Sequence, residues 1–266
     1  MNALSVTGGA LRYEFLMQIR RRSLWVVLVI VSVLGFSLWV SLLSAHPVSS
    51  PHVISTPQET AHDLVLYLAQ FAAWFLPLGA GLVVADRLAR DKKLHVDEIL
   101  DTFPGGLFAR LLGKYLGSTL ATLVPVLLIY LLGVGYVLAK FHDPQSLLLA
   151  LEAFAAILLP GIVFAAGFSI ALPVLLKVPL YQILFIGYWF WANLMSPRFP
   201  IPSPVATMLN ATGPWAQEAF FHFQWVFLIL HPTIWQGVES IALLVGLGGL
   251  SVFAAWLYLR WEQAHR

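Results

Sequence analysis

The chain contains no cysteine and carries little charge. Only 11% of its 266 residues are charged, whereas a soluble domain usually carries about 25%. The absence of cysteine excludes disulfide frameworks, thiolate metal sites and cysteine nucleophiles. The apolar fraction is 59% and the mean hydropathy is +0.82. These values indicate a chain whose main solvent is lipid.

Long apolar runs explain the missing charge. Several exceed the roughly 18 residues that mark a membrane span, which a large soluble core would not need. No run has the form of a cleaved signal peptide, because the first begins after the arginines at 20–22 and is long enough to span. Pro160 and Pro173 predict a kink or break in the fourth run. We therefore predict an all-α polytopic membrane protein with six transmembrane helices, at about 24–43, 64–85, 115–139, 147–176, 178–196 and 238–259.

An amphipathic segment precedes the first span, at 8–23. Leu11, Phe15 and Ile19 recur at four-residue spacing, and the arginines at 20–22 close the segment. Such a helix can lie in the membrane interface with its arginines toward anionic headgroups. The alternative is a plain basic flank of the first span.

The distribution of basic residues predicts the orientation of the chain. Cytoplasmic loops carry the excess of Lys and Arg. With six spans and a cytoplasmic N-terminus, the outside would hold only Lys140 and Arg198. The inside would hold Arg12, Arg20, Arg21, Arg22, Arg87, Arg90, Lys92, Lys93, Arg110, Lys114, Lys177, Arg260 and Arg266. We therefore predict that both termini are cytoplasmic.

The apolar segment 219–230 is too short for a typical span. The same charge bias favours a re-entrant element within an extracytoplasmic region at 197–237. The alternative is a further span, which would place the C-terminus outside.

Several catalytic motifs are missing from the sequence. It contains no G-x-x-x-x-G-K-[ST] phosphate loop, no H-E-x-x-H and no G-x-S-x-G. We predict no catalytic residue, no metal site and no cofactor bound by this chain. Glu152 and Glu239 lie near the outer ends of predicted spans. A carboxylate inside the membrane is a functional hypothesis by default, and the alternative is that both reach the outer headgroups.

The largest cytoplasmic loop, 86–114, is the most informative stretch. Opposite charges at i,i+4 spacing, 86/90 and 87/91, predict that the second span continues as a helix into water. Farther on, Ile99, Leu100 and Phe103 would share one face of a short helix. Such a face suits docking into a groove of a partner. The alternative is a solvated loop with an incidental apolar patch.

Two stretches of this loop carry a family resemblance. They read Glu98-Ile99-Leu100-Asp101-Thr102-Phe103-Pro104 and Leu112-Gly113-Lys114-Tyr115. Here the sequence resembles the ABC-2 family of transporter permeases, which have the type V ABC exporter fold. That family typically carries E-x-L-x-[ST]-x-P and L-G-K-[YF] between its second and third spans. Asp91-Lys92-Lys93-Leu94 departs from the Gly-Thr that is common just before the first element. The layout of interfacial helix, six spans and re-entrant segment also matches along the whole chain.

The resemblance implies a membrane-spanning permease subunit of an ATP-driven exporter. ATP and Mg would be bound by a separate ABC ATPase, present in two copies. A second permease chain, identical or paralogous, would complete the assembly. The loop would supply a coupling helix that docks on the ATPase, with Asp97, Glu98, Ile99, Leu100, Thr102, Phe103 and Pro104.

In this family the second and fifth spans usually line a central cavity. Here they would contribute Gln70, Phe71, Trp74, Tyr188, Trp189 and Asn193. Aromatic faces with a few amides suit an amphipathic or lipid-like cargo better than an ion. The alternative for each residue is ordinary packing.

These expectations fit a multi-pass protein of a prokaryotic inner (plasma) membrane, with lipid but no nucleic acid as a partner. Export, rather than import, follows from the family analogy alone. An accessory or structural membrane subunit without transport of its own is the alternative function. An intramembrane enzyme is disfavoured by the missing nucleophile and metal motifs.

Overall fold

The computed structural model describes residues 3–45, 57–88, 90, 106–197, 199–224 and 228–265. Its regular elements are helices, so the predicted all-α class is confirmed for these residues. They are α1 (Ala3–Ile19), α2 (Arg22–Ala45), α3 (Pro57–Val84), α4 (Leu107–Phe141), α5 (Gln145–Ala153), α6 (Leu159–Ala171), α7 (Val178–Asn193), α8 (Pro214–Phe221) and α9 (Ile234–Ala264).

Four helical runs in the described residues are long and apolar enough to cross a membrane. They are Gln58–Val84, Leu107–Phe141, Gln145–Val174 and Ile234–Ala264. Two other predicted spans correspond to shorter apolar helices: the apolar part of α2 is Arg22–Ser37, and α7 has 16 residues. The structure therefore supports a multi-pass membrane protein.

The prolines of the fourth predicted span interrupt its α-helical hydrogen bonding. A π-helical turn, Phe154–Leu158, ends two residues before Pro160. A 3₁₀ turn, Leu172–Val174, contains Pro173. Proline lacks an N–H and its ring clashes with the carbonyl four residues back. The helical register changes where this constraint applies, as the sequence predicted.

Helix α3 is the central element of the bundle. It packs against α2, α4, α5, α6 and α7, and 72% of its most apolar window is buried within the chain. For α9 the corresponding share is 28%. Side chains on α3 are therefore placed to contact most of the protein.

The bundle has two distinguishable ends. The Asp86 end contains the end of α3, the start of α4 and the end of α9, where Phe108 and Trp256 are in ring contact at 5.4 Å. The His62 end contains the start of α3 and the end of α4, where the His62 ring is within hydrogen-bond distance of the Asp143 carboxylate. Basic side chains of the described residues concentrate at the Asp86 end, whereas Lys140 lies at the His62 end.

The chain between α7 and α9 enters the bundle at Ala211. The Ala211 carbonyl lies against Gly161, where a Cβ would also meet Pro77 of α3. At about 1.5 Å per residue, Gly161 lies roughly 24 Å from the start of α5. Helix α8 has only 8 residues, and 222–224 are not helical. The segment predicted as re-entrant therefore forms no membrane-length helix among the described residues.

Candidate functional site

The predicted coupling residues Asp97, Glu98, Ile99, Leu100, Thr102, Phe103 and Pro104 lie outside the described residues. The structure does describe how both ends of the 86–114 loop are held. Helix α1 and the turn after it contact the entry of the loop through ion pairs, and α1 contacts the exit through close helix packing. We call these contacts together the loop clamp.

At the entry of the loop, two ion pairs join α1 and the short turn after it to the residues that follow α3. The Arg87 guanidinium donates to the Glu14 carboxylate, and both side chains are almost fully buried. Arg21 donates to both carboxylate oxygens of Asp86, at 2.7 and 2.5 Å. The hydrogen bond to Asp86 raises the pKa of Arg21 by more than desolvation lowers it, so the pKa is raised overall. Bidentate pairs of this kind fix geometry as well as charge.

These pairs differ from the predicted pairing along the helix. The backbone makes a turn at 85–86 before 87, 88 and 90 return to helix. At this turn Asp86 pairs with Arg21, and the next residue, Arg87, pairs with Glu14 of α1. The predicted partner of Arg87, Asp91, lies outside the described residues.

At the exit of the loop, two glycines let α1 and α4 approach closely. A Cβ on Gly113 would lie 2.6 Å from the Ala10 Cβ and 2.8 Å from the Thr7 carbonyl oxygen. A Cβ on Gly117 would lie 2.6 Å from the Leu11 carbonyl oxygen. The four-residue spacing places both glycines on one face of α4, as in small-residue helix contacts within membranes.

Helix α1 buries a polar stripe instead of an apolar one. Glu14 and Gln18 are buried against the bundle, whereas Tyr13 and Leu16 are exposed. Neither amide atom of Gln18 has a hydrogen-bond partner in the described part of the chain. The predicted apolar face of Leu11, Phe15 and Ile19 is only half-buried, so polar contacts set the docking of α1.

The predicted cavity residues on α3 and α7 contact each other inside the chain. The Trp189 indole N–H donates to the Trp74 carbonyl at 2.7 Å. Phe71 and Trp74 are in ring contact at 4.6 Å and pack against Val205 and Leu228. These aromatic side chains therefore join α3 and α7 to the segment that enters the bundle.

Asn193 anchors the same segment through hydrogen bonds. Its side-chain oxygen accepts from the Ala211 N–H at 2.6 Å, and its amide donates to the Trp189 carbonyl. Asn210 donates to the Asn193 and Val205 carbonyls. Both polar atoms of the Asn193 side chain are thus used within the chain.

Gln70 and Tyr188 complete the predicted set. Gln70 is fully buried on α3, and within the described residues neither of its amide atoms has a partner. Tyr188 is 38% exposed and lies beside Trp191 on the outer side of α7. The role of these six residues in holding cargo remains a prediction.

A second polar region, missed by sequence reasoning, lies at the His62 end. A cavity of about 880 Å³ is lined by Glu59, His62, Asp63, Leu66, Leu149, Glu152, Ala155, Ala156, Phe220, Phe221, His222, Phe223 and Ile241. Its walls come from α3, α5, the π turn, α8 and α9. The signal in the sequence was the i,i+4 pair of carboxylates at Glu59 and Asp63, which places both on one face of α3.

Asp143 connects helices at the rim of this end. Its carboxylate accepts from the Ser146 hydroxyl at 2.9 Å and the Gln145 N–H at 3.2 Å, and so caps α5. His62 lies 3.1 Å away on α3. Desolvation raises the pKa of Asp143, but these hydrogen bonds and His62 outweigh it, so the pKa is lowered overall.

The described residues contain no group of three or more His, Cys, Asp and Glu side chains arranged to hold a metal ion. No protein-family model matches the chain. No curated protein is similar enough in sequence to count as a relative.

Proposed function

We propose that the chain is the membrane-spanning permease subunit of an ATP-driven ABC exporter and crosses the membrane six times, with α2 and α7 as two of the spans. Its support is the loop motif at 98–104 together with the loop clamp. A loop that transmits movement must be held firmly at both ends. The buried Glu14–Arg87 pair and the glycine contact at Gly113 provide such attachment.

The clamp connects the loop to the parts of the bundle that would move. The entry of the loop continues from α3, and α3 contacts most of the other helices. The exit of the predicted loop, 107–114, is already the first part of α4. A displacement of the loop by an ATPase would therefore reach the bundle through α1, α3 and α4 together. Nucleotide can act only through a difference in ATPase affinity between two permease conformations.

A second permease chain would pack against α7 in this proposal. One side of α7 contacts α3, while Ile183, Leu184 and Tyr188 are exposed. An amphipathic or hydrophobic cargo would pass between the two chains, and ATP and Mg would remain on the ATPase. The cargo residues predicted on α3 would then become accessible only after a conformational change, because they are buried in this one.

The test is co-purification with an ABC ATPase encoded next to this chain. Glu98→Ala and Phe103→Ala should each reduce the amount of ATPase recovered with the tagged permease. Arg90→Ala is the matched control, since Arg90 is exposed and lies outside the 98–104 motif. Unchanged recovery with both motif variants would show that the coupling assignment is wrong. The absence of any associated ATPase would favour the accessory-subunit alternative.

A further inference from the structure

The cavity at the His62 end combines a wide opening, aromatic walls and negative charge. Its volume of about 880 Å³ falls within the range of about 300–1,000 Å³ that holds drug-sized ligands. Phe220, Phe221 and Phe223 form one wall. An aromatic wall of this kind binds apolar groups and, through the ring faces, cations.

The charged groups of the cavity have one sign. Glu59, Asp63 and Glu152 line it, and no Lys or Arg is among its described lining residues. Two histidines, His62 and His222, line it as well, and the His62 ring nitrogen lies 3.1 Å from the Asp143 carboxylate. Carboxylates facing a partly enclosed space favour a cationic occupant and exclude an anionic one.

Another part of the cavity wall contains an irregular helix. Ala155 and Ala156 belong to the π turn and line the cavity one turn beyond Glu152. Turns of this kind occur frequently at functional sites. Gln217 lies on α8 one turn before Phe221, and it is fully buried with neither amide atom partnered in the described residues. An unsatisfied buried amide is costly, so this part of α8 has hydrogen-bonding capacity that the described residues do not use, although Gln217 itself does not line the cavity.

We propose that this cavity binds an amphiphile with a primary ammonium group and an aromatic or alkyl tail. The ammonium lies near Glu152 and Asp63, and the tail lies against Phe220, Phe221 and Phe223. This site deepens the proposed function, since it gives the cargo a charge, and its role in export rests on that function. Binding itself requires no ATPase.

The probe is a fluorescent dansyl-alkylamine, tested against the dansyl-alkyl alcohol of the same length. The full chain is placed in phosphatidylcholine nanodiscs, and empty nanodiscs correct for partitioning into lipid. The amine should bind with saturation and the alcohol at least about fivefold more weakly, as expected for one partly exposed charge contact. Equal binding of the two probes, or no saturable binding of the amine, would overturn the proposal.

Two variants locate the site. Glu152→Gln is isosteric at an exposed position and should weaken amine binding about fivefold, and Asp63→Asn added to it should weaken binding further. Glu239→Gln is the control, because Glu239 is an exposed carboxylate that does not line the cavity. Wild-type affinity in the double variant would contradict the assignment.

Two sources could supply this ligand chemistry, an aminophospholipid headgroup or a soluble amphiphilic amine. Adding phosphatidylethanolamine to the nanodiscs separates them: competition with the probe identifies the lipid, and unchanged binding identifies the soluble amine. The experiment uses the permease alone. Failure to bind would therefore leave the exporter proposal standing, and failure to recruit an ATPase would leave the amine site standing.

Discussion

At the scale of single residues, Arg87 and Glu14 form a buried ion pair within this bundle. Both side chains are almost completely buried, and each is the other's ionic partner. Burying two charges costs nearly as much as their attraction returns, but leaving one of them alone costs much more. The pair therefore fixes where α1 docks more than it adds stability.

This asymmetry gives a first prediction. Arg87→Leu should lower the free energy of unfolding by about 3 kcal/mol, because Glu14 is left buried without its partner. The double variant Glu14→Leu/Arg87→Leu should recover most of that loss. Thermal unfolding of the detergent-solubilised protein, followed by size-exclusion elution, measures both.

Arg12→Ala is the control for this pair, since Arg12 is an exposed basic residue on the same helix. It should unfold close to the wild-type temperature. A double variant that is as unstable as Arg87→Leu alone would contradict the interpretation, because it would show that packing and not the unpaired charge determines the loss.

Asp143 gives a prediction about pH. Its pKa is lower in the folded chain than its ordinary value, which is about 3.9. A carboxylate of this kind stabilises the fold fully above its unfolded pKa, and the stabilisation is lost as the pH falls toward the folded pKa. Asp143→Asn should therefore unfold at a lower temperature than wild type at neutral pH. The difference should shrink as the pH falls below about 4.

The measurement is the unfolding temperature of wild type and of Asp143→Asn, taken from neutral pH down to pH 3. Glu239→Gln serves for comparison, since Glu239 is exposed at the start of α9 and should give a small difference at every pH. A gap between Asp143→Asn and wild type that stays constant down to pH 3 would show that the carboxylate's charge is not what caps α5.

At the scale of helices, the contact between α1 and α4 depends on two positions without side chains. Gly113 and Gly117 face backbone atoms of α1, which cannot move aside as the end of a flexible side chain could. Gly117→Ala should therefore force α1 away from α4 and destabilise the fold by about 1–3 kcal/mol. The unfolding temperature in detergent again reports the effect.

Gly9→Ala is the matched control on the other helix. A Cβ on Gly9 would meet nothing within 4 Å, so this change should be neutral or stabilising by up to about 1 kcal/mol from helix propensity. If Gly117→Ala proved as harmless as Gly9→Ala, the close contact between α1 and α4 would not exist in the folded protein.

The sequence predicted these helices unevenly, for physical reasons. Hydropathy located α3, α4 and α9 because long apolar runs have one stable arrangement in lipid, but these helices begin at Pro57, Leu107 and Ile234, before the predicted spans. Prolines located the irregular turns near Pro160 and Pro173. Hydropathy did not reveal that α1 turns Glu14 and Gln18 inward, because that choice depends on Arg87, which is distant in the sequence. The same limit hid the cavity at the His62 end, whose walls come from separate helices.

At the scale of the whole molecule, the distribution of basic residues predicts which end of the bundle faces the cytoplasm. The described basic residues concentrate at the Asp86 end, and Lys140 lies at the His62 end. Lys and Arg are enriched on the cytoplasmic side of membrane proteins. The Asp86 end, with the clamped loop, is therefore expected to face the cytoplasm, where an ATPase could reach it. The amine cavity would then face the opposite side.

Because the chain has no cysteine, single introduced cysteines can test this orientation directly. A membrane-impermeant maleimide applied to intact cells should label Lys140→Cys. It should label Arg12→Cys and Ala264→Cys only after the cells are opened, because both positions lie at the Asp86 end. Labelling of Ala264→Cys from outside, with Arg12→Cys protected, would mean an odd number of spans. The segment between α7 and α9 would then have to cross the membrane, which its short α8 and its contact with Gly161 oppose.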